Sequence, residues 1–100
     1  MNEGNEMVRE TVIVTRHAGA VAWLAEQGVT GEVIAHVTDN AQIAGKAVIG
    51  ALPLHLAALA AKVGSIDLPN LPAEQRGRDL TPSEMDAAGA CISWYKVQAL

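Results

Sequence analysis

The sequence has no phenylalanine, one tyrosine, two tryptophans and one cysteine among its 100 residues. So few rings leave the core to Ala, Val, Leu and Ile, small side chains that suit strands and helices packed closely in layers. A lone Cys91 excludes an internal disulfide, and its place in the C-terminal helical pattern reads as a small buried apolar residue. Long apolar runs are also missing. The longest, Ala47 to Val63, is interrupted by Pro53, His55 and Lys62 and falls short of the roughly 20 residues a bilayer span requires. It reads as core, and no membrane partner is expected. Positive charge is scarce: seven Lys and Arg against eleven Asp and Glu give a net charge of −4. Seven scattered cations do not make the basic surface that long nucleic acid needs, whereas a small anion can be held by one or two groups. Met1 to Glu6 is polar and acidic, without the basic and then apolar pattern of an export signal. A cytoplasmic location is therefore expected. Glycine-loop nucleotide motifs do not follow the first strand, which removes most support for ATP hydrolysis or hydride transfer.

What is present fits one domain spanning 1–100, with 1–9 expected as a flexible N-terminal segment, because a chain of this length carries one core. Thr11 to Val14 is β-branched throughout and predicts an interior strand covered on both faces. Ala18 to Gln27 predicts a helix with Val21, Leu24 and Ala25 on one face, Trp23 at its margin or an interface, and Gly28 as its stop. Val33 to Val37 and Lys46 to Ile49 predict the next strands, with one helical turn over 39–44 between them. A helix opened by Pro53 is expected to run to about Lys62, apolar on nearly every face and so in need of cover on both sides. Ser65 to Leu68 predicts a fourth strand. The capping box Thr81-Pro82-Ser83-Glu84 announces a last helix whose buried stripe would be Met85, Ala88 or Gly89, Ile92 and Tyr95. Alternation of this kind predicts an α/β fold, a small Rossmann-like or flavodoxin-like three-layer sandwich with a mainly parallel sheet of about four strands.

In such sheets ligands bind at the carboxyl ends of the strands, where helix N-termini present free N–H groups. Thr15, Arg16 and His17 follow the first strand, His36 ends the second, and His55 lies in the first turn after the third. All three histidines and an arginine are thus expected near one edge. His36, within an apolar strand, reads first as a structural residue whose side chain points into the core and is satisfied by a backbone carbonyl. A guanidinium beside an imidazole at a tight corner suggests an anion between them. Arg16 would fork onto phosphate oxygens, the amides near Gly19 would add donors, and His17 would move a proton near neutral pH. Gly19 would let a ligand approach the backbone. Gly50-Ala51-Leu52-Pro53 is either a simple turn or a bed for a base or ribose. The loop 71–78 is either a solvated connection or a lid acting through Arg76.

Together, Thr-Arg-His-Ala-Gly-Ala at 15–20, the His36 strand end, Val-Ile-Gly-Ala-Leu-Pro at 48–53 and Leu-Pro-Ala-Glu-Gln-Arg-Gly-Arg-Asp-Leu at 71–80 resemble a small CRISPR-associated family found beside type III interference systems. The resemblance spans about residues 10–97. It implies a minimal relative of the CARF domain, a Rossmann-like homodimer that binds cyclic oligoadenylates. It further implies a ring nuclease that cleaves cyclic tetra-adenylate without a metal or other cofactor and so switches off the antiviral signal. Carried onto this chain, the Arg-His pair becomes Arg16 and His17, with Thr15, His36, His55 and Arg76 in support. A cyclic tetranucleotide is too large for one domain of this size but matches a two-fold dimer. Three rivals remain open: a module that sequesters the same messenger uncut, a metal-dependent phosphoesterase using His17, His36 and His55 with Asp39 or Asp67, and an adaptor without chemistry. Histidine spacings of 19 and 19 residues match no compact metal motif.

Overall fold

The computed structural model describes residues 10–100, so the N-terminal segment 1–9 lies outside the described residues. Five strands form one sheet: β1 (Thr11–Val14), β2 (Glu32–Ile34), β3 (Ala47–Gly50), β4 (Lys62–Asp67) and β5 (Cys91–Tyr95). Three helices accompany them: α1 (Ala18–Glu26), α2 (Leu54–Ala57) and α3 (Pro82–Ala87). Single 3₁₀ turns occupy Asn40–Gln42 and Ala73–Gln75. The strand order is β2-β1-β3-β4-β5, parallel throughout except that β5 runs antiparallel to β4.

Alternation along the central strands divides the core in two. Val12, Val48 and Val63 pack on one face with Ile43, Ala57 and Ala60. Ile13 and Ile49 pack on the other with Trp23, Leu24, Leu80 and Met85. The path from β1 to β2 uses the α1 face and the paths from β2 to β3 and β3 to β4 use the opposite one. This is what crossovers of one hand must do when the chain reverses direction across a sheet. The three-layer α/β sandwich is therefore the fold.

Several local expectations are corrected. The helix expected over 53–62 is a single turn, because Ala61 N–H donates to Lys46 O at 2.8 Å and draws the chain from Lys62 onward into the sheet beside β3. Tertiary pairing here overrides the helix propensity of an alanine-rich stretch. The last helix stops at Ala87 instead of running on to Tyr95. Gly89, at φ +77°, closes it in a Schellman motif in which Gly89 N–H donates to Asp86 O and Ala90 N–H to Met85 O, both at 3.0 Å. The residues beyond form the fifth strand, and Cys91 is exposed on it rather than buried in a helix. Strand β2 ends at Ile34, so His36 sits on an exposed bend, not in the core. Trp23 is 3% exposed, whereas Ala25 is exposed. The indole Nε1–H donates to Asp86 Oδ1 at 2.8 Å, which ties α1 to α3 and satisfies the one polar atom the buried ring carries.

Candidate functional site

At the carboxyl end of the sheet, the chain leaving β1 turns toward β2 and the chain leaving β3 turns toward β4. Their divergence opens a crevice between the β1 and β3 tips, the switch point where doubly wound sheets bind ligands. A cavity of about 650 Å³ fills it, within the ordinary range for small-molecule sites. Its floor is apolar, made by Ile13, Leu24, Ile49, Leu56, Ile66 and Met85. Polar groups line it from four directions: Thr15, Arg16 and His17 after β1, His36 after β2, Ser65 on β4, and Arg78 with Asp79 before α3.

The β1–α1 corner is shaped by its own side chains. Thr15 Oγ1 accepts the His17 N–H at 3.1 Å, a hydroxyl turn that folds the chain tightly after the strand. His17 then stands at the N-cap of α1 without using its side chain to cap it. The imidazole is left available, with Nδ1 3.9 Å from Asp79 Oδ1 and both side chains about half exposed. Arg16 is exposed and, among the described residues, has no ion-pair partner. Arg78 differs, since its guanidinium donates to Glu84 Oε2 at 2.7 Å. The Thr81 backbone N–H, and after it Arg78, hold the Glu84 carboxyl below its ordinary range.

The structure brings Thr15, Arg16, His17, His36, Gly50, Leu52 and Pro53 to this one cavity. Gly50, at φ +143°, is also required by packing, because a Cβ there would overlap the Val14 carbonyl oxygen of the neighbouring strand. Gly19 does not line the cavity. The approach its missing side chain allows is taken by the chain itself: a Cβ would overlap the Leu80 carbonyl oxygen, and its N–H donates to Asp79 Oδ1 at 3.2 Å. His55 lies outside, in a separate hollow with Leu54, Leu59 and Val97. The three histidines therefore do not converge, and among the described residues no three His, Cys, Asp or Glu side chains form a metal-binding group. Arg76 is also outside, whereas Arg78, Asp79 and Ser65 line the cavity without having been singled out from the sequence as site residues. The signal for the first two was the capping box at Thr81. Residues immediately before an anchored helix start are held against the fold, and Arg76 lies further back in the exposed loop.

This arrangement can hold an anion at its rim and a flat apolar group on its floor, and an imidazole at the rim can take up or release a proton. No helix among the described residues is long and apolar enough to cross a membrane. No curated protein and no solved structure matches the chain. A family model described as "Putative CRISPR-associated protein (Cas_VVA1548)" matches residues 12–98, which takes in every strand and helix except the first residue of β1. The chain belongs to this CRISPR-associated family.

Proposed function

We propose that the protein is a ring nuclease that binds cyclic tetra-adenylate and cleaves it to linear di-adenylates, ending the signal of a type III CRISPR system. The observation that carries this reading is the shared placement of Arg16, His17 and the N-terminus of α1 on the polar rim of a cavity whose floor is apolar. Family membership supports the setting, and the CARF kinship implied by the resemblance of the 15–20, His36, 48–53 and 71–80 segments points to the ligand class.

The chemistry requires no group from outside. A ribose 2′-oxygen attacks the adjacent phosphorus in line. The O2′–P bond forms, the P–O5′ bond breaks, the 2′-hydroxyl proton is taken up, and the departing 5′-oxygen receives one. Each cut thus leaves a 2′,3′-cyclic phosphate and a 5′-hydroxyl. Arg16 stabilises the charge gathering on the phosphorane, and His17 moves a proton at one of the two ribose oxygens. An adenine lies on the apolar floor, with Gly50, Leu52 and Pro53 beside it. A cavity of about 650 Å³ encloses part of a tetranucleotide ring rather than all of it. Two chains related by a two-fold axis would hold the whole ring and cut it at opposite phosphates.

Incubation of the purified protein with cyclic tetra-adenylate in excess EDTA, followed by chromatography and mass spectrometry, tests the reading. Linear di-adenylates with 2′,3′-cyclic phosphate ends are expected. Arg16→Ala slows their appearance by about 10²–10³-fold and His17→Ala by about 10²–10⁴-fold. A bound but intact ring makes the protein a sequestering module. Cleavage recovered only on addition of zinc or manganese overturns metal independence, and a ring that neither binds nor breaks removes the ligand class.

A further inference from the structure

Among the described residues, Asp79 is the only carboxylate lining the cavity. In a site that receives phosphodiesters, a fixed negative charge opposes the ligand, so its presence calls for a compensating role. Its position is imposed from both sides. Leu80, 7% exposed, is held in the core with its carbonyl against Gly19. Thr81 caps α3, and Arg78 is held by Glu84. Between these anchors Asp79 Oδ1 accepts the Gly19 N–H at 3.2 Å and stands 3.9 Å from His17 Nδ1. The bond to Gly19 secures the carboxylate at the α1 terminus on the Nδ1 side of the imidazole. The other charged or titratable groups lining the cavity are Arg16, Arg78 and His36. The two guanidinium groups have no acceptor, and His36 can accept only through one neutral ring nitrogen, so Asp79 is the one charged acceptor among them.

We infer that Asp79 is a positioning residue for His17: it holds the imidazole in the tautomer protonated at Nδ1, so that Nε2 is the atom that exchanges a proton with the substrate. This inference rests on the proposed ring cleavage for its consequence but not for its geometry. The separation of 3.9 Å is longer than a hydrogen bond, and a side-chain movement of about 1 Å brings it to hydrogen-bond length. Orienting carboxylates act in this way on catalytic imidazoles elsewhere. The arrangement also accounts for Gly19, since any side chain there would drive Leu80, and Asp79 with it, away from the corner.

Two measurements on the full chain decide it. Long-range ¹H–¹⁵N correlation spectra of the ligand-free protein, at a pH where the imidazole is neutral, report the His17 tautomer. The Nδ1–H form is expected in the parent and the Nε2–H form, favoured by an uncontacted histidine side chain, in Asp79→Ala. A parent already in the Nε2–H form, or a tautomer unmoved by Asp79→Ala, overturns the inference. In steady-state cleavage assays, Asp79→Ala lowers kcat by about 10²-fold, the usual cost of a displaced catalytic group, with KM little changed. Asp79→Glu restores part of kcat. Unchanged kcat, or a loss confined to KM, overturns it. Asp79→Ser, whose shorter side chain withdraws the acceptor from Nδ1, serves where Asp79→Ala does not fold, with the same tautomer and kcat criteria. If the parent cleaves no ring, the proposed activity fails while the tautomer spectra still decide the contact.

Discussion

At the β1–α1 corner four of five contiguous residues have different duties. Thr15 bends the chain, Arg16 is left without a carboxylate partner among the described residues, His17 faces Asp79, and Gly19 gives room to Leu80. This division was only partly legible from residue types. A guanidinium beside an imidazole after a β-branched strand marks the corner in any α/β reading, since strand and helix are set by near neighbours. The duty of Gly19 was not legible, because it depends on a carbonyl 61 positions along the chain. Substitution makes the difference measurable. Gly19→Ala places a Cβ on the Leu80 backbone oxygen, which cannot move without shifting the buried Leu80 side chain. Overpacking of this kind costs about 1–3 kcal/mol. The expected outcome is a lowered urea midpoint for Gly19→Ala, together with loss of cleavage. An unchanged midpoint would mean that the 79–80 segment yields freely and does not hold the corner.

Helices and strands were readable where their signals are local and misread where pairing partners are distant. Strand β1, helix α1 with its Gly28 stop, and the capping box of α3 all lie within a few residues of their cause. Strand β4 begins at Lys62 because residues 47–49 lie beside it, and nothing within the alanine-rich segment 57–61 announces that. Strand β5 was hidden by coincidence. Met85, Ala88, Ile92 and Tyr95 keep helical spacing, yet a glycine four residues into that pattern ends the helix and an antiparallel register takes over, pairing Ile92 with Ile66. The turn at Gly89 is therefore a stability element. Its φ of +77° costs an L-residue about 1–2 kcal/mol, and a single asparagine tolerates it better. Gly89→Ala is expected to lower Tm by about 4–8 °C for each kcal/mol, the scale for a domain of this size. Gly89→Asn is expected to lower it less. Equal effects for the two would show that contact with Pro69 and Asn70, the nearest side chains, dominates over backbone strain.

At the scale of the whole molecule, an apolar surface is left among the described residues that the core does not explain. Leu54 is 76% and Leu59 39% exposed, on and just after α2, and with His55 and Val97 they border the hollow beside the C-terminal residues 96–99. Leu54 follows Pro53, which lines the cavity, so this surface reaches the site. Apolar side chains that join a ligand site to an open face are where a second copy would bring another set of strand tips to the same ring. The proposed dimer therefore ties catalysis to association, and the two can be separated. Leu54→Asp with Leu59→Asp puts two like charges into the contact without touching Arg16, His17 or Asp79. The pair is expected to sediment as a monomer, keep the parent's Tm within a few degrees, and lose cleavage of cyclic tetra-adenylate by 10-fold or more at low concentration. Raising the protein concentration until dimers reappear should restore the rate per chain, since the chemistry of each corner is unchanged. A monomer that cuts the ring as fast as the parent would show that one cavity suffices and that this apolar face serves another contact.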